Sequence, residues 1–294
     1  MKISILLAVT LWASTFVGIR AAIRDFTPVE IAVLRFVISS IALLIIATFQ
    51  KISFPSFKNL VFLILLGAIQ FINYVALNYG TKFITAGETT LLVSTSQLFQ
   101  VLLAYLFLRE VISSRFLIGL FICFIGVAII SAQNSQGLSL SHGVVYVLIA
   151  AITNAIFFIS QKPLLKKHSP LEVVAYSTWV ASFFLLPFGK SILTSFQASS
   201  VHASIGIVYI GIASVIANIC WSRVLIKTEA SKAAIYLYTI PVVTIIIGYI
   251  WLREHPSLIS CMGGALIIVG VAFSKSKKTE HLYGLRLSRK KLPL

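Results

Sequence analysis

The chain has 294 residues, of which 59% are hydrophobic and only 11% charged, and its mean hydropathy is +1.00. A soluble domain carries about a quarter charged residues, so this composition excludes one and points to a chain partnered by a lipid bilayer. The net charge of +16 does not call for nucleic acid, because Lys and Arg gather between apolar runs and in the last stretch, as they do on a cytoplasmic membrane face.

Ten apolar runs read as spans, each long enough to cross about 30 Å of hydrocarbon as a helix. Span 1 covers about 3–21, with Trp12 and Thr15 in mid-run. Trp12, Ser14 and Thr15 interrupt its apolar character, so it reads as a span rather than a cleaved leader. Span 2 (28–49) follows "TPVE" and carries Arg35 well inside it. A charge there is a functional candidate, or else it pairs with Glu30 or snorkels. Span 3 (59–79) offers Gln70, Asn73 and Tyr74. Span 4 (85–108) sets Thr90, Ser94 and Gln97 at i, i+4 and i+7, which is one helical face. Span 5 (113–132) carries Gly119 and Gly126, a spacing suited to close helix packing.

The polar stretch "SAQNSQGLSLSHG" (131–143) divides the chain. Span 6 (142–161) offers Asn154, Phe158 and Gln161, and span 7 (171–189) follows "SPLE". Span 8 (202–222) sets Ser214, Asn218 and Trp221 on one face. Span 9 (230–252) holds Tyr236, Thr239 and Pro241, and span 10 (257–274) holds Gly263 and Gly270. Cys123, Cys220 and Cys261 lie in apolar runs without metal-ligand spacing, so they read as packing residues. No metal site and no cofactor is expected.

The second half repeats the first. Tyr105, Leu108, Arg109, Glu110, Gly119 and Gly126 recur 144 positions later as Tyr249, Leu252, Arg253, Glu254, Gly263 and Gly270. "TPVE" at 27–30 recurs as "SPLE" at 169–172, and Thr85-Ala86 aligns with Glu229-Ala230. Five spans separate the two Arg-Glu pairs, an odd number, so the pairs face opposite sides of the membrane. With the N-terminus inside, eighteen Lys and Arg fall on the inner side and five on the outer. Both termini are therefore expected in the cytoplasm. The expected fold is an all-α integral membrane protein of ten transmembrane helices. They form two inverted five-helix repeats, 1–133 and 142–275, followed by a basic cytoplasmic tail, 276–294.

Two halves of five spans, "TP-x-E…LR" at the start of span 2 and "LRE" closing spans 4 and 9 resemble the drug/metabolite transporter superfamily, EamA type. The resemblance implies a central pathway lined by spans 1, 3, 4, 6, 8 and 9, with span 2 peripheral. It also implies a proline within the fourth helix of each half. The second half has Pro241 there, but the first has Gln97, which marks Gln97 as a cavity-lining candidate.

The mid-span polar residues independently collect on those same six spans. Each also suits an interhelical hydrogen bond worth about 0.6–2 kcal/mol, but the set as a whole favours a cavity. The expected substrate-binding residues are Trp12, Tyr74, Gln97, Asn154, Asn218, Trp221 and Tyr236. Amides can donate and accept, so this set would hold an ammonium and a carboxylate without a fixed buried charge.

No carboxylate stands deep in a span and no GxxxxGK[ST] loop is present. These absences disfavour proton pumping through a buried acid and ATP hydrolysis by this chain. The reading is a non-enzymatic alternating-access transporter of the bacterial inner membrane. It would export or exchange a small-molecule substrate, a neutral or zwitterionic metabolite such as an amino acid. Rival readings are a sugar- or nucleotide-type carrier of the same fold and an intramembrane enzyme; a nucleotide or sugar-phosphate carrier should show Lys or Arg at cavity depth, which only Arg35 approaches. No motif specifies an oligomeric state.

Overall fold

The computed structural model describes residues 2–50, 52, 55–108, 114–134, 142–189, 192–227, 236–237 and 239–274. The first Arg-Glu pair (Arg109-Glu110), most of the polar join, Glu229-Ala230 and the basic tail lie outside the described residues. Among the described residues every regular element is helical. In chain order these are α1 Lys2–Ala22, α2 Pro28–Phe49, α3 Phe57–Phe83, α4 Ala86–Val93, α5 Ser96–Leu108 and α6 Ser114–Asn134. There follow α7 His142–Leu164, α8 Pro170–Leu185 with a 3₁₀ turn Leu186–Phe188, α9 Ile192–Ala198, α10 Val201–Lys227, α11 Thr239–Leu252 and α12 Leu258–Ser274.

Six of these helices are long and apolar enough to cross a bilayer, and α11 and α12 contain shorter apolar segments. The helices overrun several expected limits. At 27 residues, α3 is about 40 Å long, more than the hydrocarbon core requires. The short α9 was not expected from the sequence.

The duplicated "TP-x-E" and "SP-x-E" phrases are helix starts. Thr27 Oγ1 accepts from the Glu30 N–H at 3.3 Å, and the Glu30 carboxylate accepts from the Thr27 N–H at 2.8 Å. Ser169 and Glu172 do the same at the start of α8, at 3.2 and 2.8 Å. Thr85 and Glu88 repeat the arrangement at the start of α4, at 3.2 and 3.0 Å. These reciprocal pairs satisfy N–H groups that a helix cannot satisfy itself. They also place a carboxylate at the positive end of the helix dipole. Pro28 and Pro170 occupy the first helical position, where a missing N–H costs nothing.

Packing runs between distant parts of the chain. α1 lies along α10, α3 along α7 and α8, α2 against α8 and α10, and α6 along α12. Hydrogen bonds staple these seams. Ser39 Oγ donates to the Gly211 carbonyl at 2.8 Å, Asn73 Nδ2 to the Ala150 carbonyl at 2.6 Å, and Asn78 Nδ2 to the Pro28 carbonyl at 3.0 Å.

The α6–α12 seam is made of small residues. A methyl group at Gly126 would stand 2.5 Å from the Gly263 carbonyl oxygen, and one at Gly270 would stand 2.6 Å from that of Gly119. With no apolar driving force between helices in lipid, such close backbone approach is a main source of attraction. Large apolar side chains, among them Leu44, Phe121, Phe183 and Ile246, point outward from the bundle, as a lipid-facing surface requires.

Expected span 4 is not one helix. α4 ends at Val93 and α5 begins at Ser96. Thr95 N–H bonds Leu92 O at 3.0 Å and Leu98 N–H bonds Thr95 O at 2.9 Å, both tight three-residue closures. The hydroxyls of Ser94 and Thr95 donate back to the Thr90 and Leu92 carbonyls at 2.9 and 2.7 Å. Such back-bonding bends helices. The first half therefore breaks its fourth helix with hydroxyls, where the second half has Pro241 in the first turn of α11.

Candidate functional site

A cavity opens inside the bundle, walled by α1 to α5 on one side and by α7, α10, Leu237 and α11 on the other. The α4–α5 break lies in its wall, so Ser94, Ser96 and Gln97 all face it. Of the seven residues expected from sequence, Trp12, Tyr74, Gln97, Asn154 and Asn218 line this one cavity. Gln70, Asn73, Thr15 and Thr90, which belonged to the wider pool of mid-span polar residues, line it too.

The other two expected residues stand elsewhere. Trp221 is 2% exposed and packs behind the wall. Its ring centroid lies 5.5 Å from that of Trp12 and 6.3 Å from that of Phe158, while Trp12 and Phe158 are 6.1 Å apart. The residue thus backs two aromatic wall residues instead of forming the wall. The one-face spacing of Ser214, Asn218 and Trp221 identified the inward stripe but not which layer each side chain reaches. Tyr236 is 45% exposed and lies outside the cavity. Ser214 turns its hydroxyl back to the Ile210 carbonyl of its own helix.

The resemblance implied a peripheral span 2, and here the structure corrects it: Arg35 lines the cavity. It is 3% exposed. Its guanidinium carbon lies 4.0 Å from the centroid of the Tyr74 ring, and Phe36 meets that ring edge-on at 5.2 Å. Glu30 is occupied elsewhere, capping α2 and accepting from Ser195 Oγ at 2.6 Å. Among the described residues no carboxylate forms an ion pair with Arg35, and no Asp or Glu lines the cavity.

Among the described residues, three buried polar atoms of the wall have no hydrogen-bond partner: Arg35 Nη1, Gln70 Oε1 and Gln97 Oε1. A cation–π contact returns about 0.5–2 kcal/mol, whereas desolvating a charge costs several. The wall therefore holds an under-compensated cation and unpaired amide groups, a poor design for packing and a good one for binding. The signal was present in "VLRFVISS", since an arginine this deep in a span needs a partner.

At one end of the bundle a polar knot joins four elements. Arg20 Nε pairs with Glu254 Oε1 at 2.8 Å, and Arg20 Nη1 donates to the Thr81 and Lys82 carbonyls at 2.9 and 3.1 Å. Glu254 Oε2 accepts from the Ala86 N–H at the start of α4 at 3.2 Å. Next to it, Ser260 Oγ donates to Glu88 Oε1. Arg253 adopts a left-handed φ of 56°, the backbone kink that turns Glu254 toward this knot. The second "LRE" is thus a cross-link between the end of α11 and helices α1, α3 and α4.

A model of the EamA-like transporter family matches residues 2–132 and, again, residues 141–275. The uncharacterized transporter YdfC of Bacillus subtilis (strain 168) is 32% identical over 290 residues, covering 97% of this chain and 95% of that protein. A protein of Streptantibioticus cattleyicolor named "Probable terminal-alkyne amino-acid exporter" is 30% identical over 270 residues, covering 91% of each. One from Escherichia coli (strain K12) named "Probable amino-acid metabolite efflux pump" is 22% identical, covering 96% of this chain and 94% of that protein. A solved crystal structure matches with a TM-score of 0.66 at 15% identity, over 93% of this chain and 96% of its own. That likeness is one of fold.

Proposed function

The chain belongs to the EamA-like transporter family, and from that premise we propose that it moves small neutral or zwitterionic metabolites, such as amino acids, across the bacterial inner membrane by alternating access, as an exporter or exchanger. The observation that carries this reading is the cavity itself. It is polar and aromatic, lies within a lipid-facing bundle, and is walled by helices from both halves of the chain. Arg35 at cavity depth also meets the mark of a nucleotide or sugar-phosphate carrier of the same fold, so that is the second reading the release test must separate. The names of two relatives specify amino-acid compounds as cargo of those proteins, which supports the same class here.

In this reading the ten spans form two inverted five-helix repeats, 1–133 and 142–275, with both termini and the basic segment 276–294 in the cytoplasm. The two family matches fall on nearly those limits. The packing pattern also supports it, because exchanging the halves maps the α1–α10 pair onto α7–α3 and the α2–α10 pair onto α8–α3, while α6–α12 and α2–α8 map onto themselves. Inverted repeats meeting around a mid-membrane site suit rocking of one half against the other. Trp12, Tyr74, Gln97, Asn154 and Asn218 would contact the solute, Trp221 would brace Trp12, and Tyr236 would act outside the cavity. The Arg20–Glu254 knot would close one end. Partly exposed ion pairs are worth about 1 kcal/mol or less, weak enough to break in every cycle.

The test is release from proteoliposomes loaded with a mixed metabolite panel. Amino acids should leave only when the protein is present. A panel in which sugars or nucleotides leave and amino acids stay would favour the sugar- or nucleotide-type carrier. A panel in which nothing moves would overturn the transport reading.

A further inference from the structure

We propose that Arg35 is the anion anchor of the cavity, so that a solute must present a carboxylate to be held there. The inference rests on the transport reading and narrows its substrate class: an amine, an amide or a neutral sugar would not serve. Arg35 is permanently charged, is buried, and leaves Nη1 without a partner among the described residues. Its guanidinium lines the cavity and is fixed against the Tyr74 ring, so it is held in place before a ligand arrives and has an unpaired nitrogen on one edge. A carboxylate suits that edge, because planar guanidinium and carboxylate groups pair through short, charge-assisted hydrogen bonds.

The rest of the wall continues the pattern. Gln70 lies one helical turn before Tyr74 on the same face of α3, and its Oε1 is unpaired. Gln97, whose Oε1 is also unpaired, stands in the first turn of α5. The break at Ser94–Thr95 puts the end of α4 and the start of α5 in the wall together. A helix start carries partial positive charge and a helix end partial negative charge, and interrupted membrane helices bind charged solute groups in this way. An amino acid has both signs. Its carboxylate would meet Arg35, and its ammonium would be accepted by the amide oxygens of Gln70 and Gln97. Among the described residues no acidic side chain lines the cavity, so an ammonium alone would meet only the arginine charge of this wall and be repelled.

The experiment uses the full-length protein in detergent and reads ligand-induced thermal stabilisation. Probes are individual L-amino acids, each with its carboxamide and its decarboxylated amine. The wild type should be stabilised by one or more of the acids, and at least tenfold more weakly by the matching amide and amine. Arg35→Gln should lose the preference for the acid, and Arg35→Lys should keep part of it. Comparison within the wild type needs no variant, so misfolding of Arg35→Gln does not spare the proposal. Equal stabilisation by acid and amide, or none by any acid, overturns the anchor. If proteoliposomes release solutes that lack an anionic group, the transport reading stands and the anchor fails. If only carboxylates without an ammonium bind, and do so through Arg35, the anchor stands and the amino-acid reading fails.

Discussion

At the scale of single residues, cavity polarity and cavity packing separate cleanly. Gln97 and Asn218 come from opposite halves and offer amides to the same space. Losing one such hydrogen bond costs about 1–3 kcal/mol, which is roughly 5- to 150-fold in affinity. Gln97→Ala and Asn218→Ala should therefore weaken apparent affinity for the transported solute by that factor while leaving folded yield near normal. Wild-type affinity in both variants would remove these residues from the site. Trp221→Ala should instead lower stability as well as affinity, because the indole fills space behind Trp12.

Asp25 offers a pH test outside the membrane. The Ser200 hydroxyl, and then the Ser200 backbone N–H, hold its carboxyl below the usual carboxylate range. Its folded value is depressed, so its contribution is present above the unfolded value and fades as pH falls through the folded one. Asp25→Asn should flatten the acid side of the stability profile slightly, the group being exposed. A slope unchanged from wild type would show that the Ser200 contacts do not persist in solution.

At the scale of elements, the sequence disclosed much of the design. Apolar run length located the helices, because a bilayer demands about 20 apolar residues regardless of detail. The doubled "P-x-E" phrases were visible, but their role as capping pairs appears only when Thr27 and Glu30 are seen to satisfy each other. The α4–α5 break was hidden, since Ser94, Thr95 and Ser96 read equally well as a polar helix face. Bending came from where their hydroxyls point, and no periodicity records that.

Two predictions belong at this level. Gly126→Leu should sharply reduce folded protein, because the new side chain would collide with the Gly263 backbone. A normal yield with normal transport would mean that the α6–α12 seam can separate freely. Glu254→Gln should loosen the knot that joins α11 to α1, α3 and α4. A cysteine placed at Ser94 should then react faster with an impermeant thiol reagent added outside. Unchanged reactivity would argue that the Arg20–Glu254 pair does not close the cavity.

At the scale of the whole molecule, five of the seven residues expected to bind solute come together in one cavity. Arg35, the residue that most changes its chemistry, stands on the span expected to be peripheral. Periodicity says which face a residue occupies, but helix order around the bundle decides whether that face meets the cavity, and long-range packing sets that order.

The proposed inverted arrangement makes its own prediction. In a background lacking Cys123, Cys220 and Cys261, single cysteines replace the exposed Arg115 and His255. An external impermeant reagent should label position 255 and spare 115. Equal labelling from one side would refute the inversion.

The central claim is that solute passes through this cavity. The most direct measurement is to follow proteoliposome transport in the same cysteine-free background with Asn218→Cys, before and after a small membrane-permeant thiol reagent. The account predicts that modification abolishes transport and that the transported solute, present during labelling, slows the modification. Transport that survives full modification, or modification unaffected by solute, would contradict it.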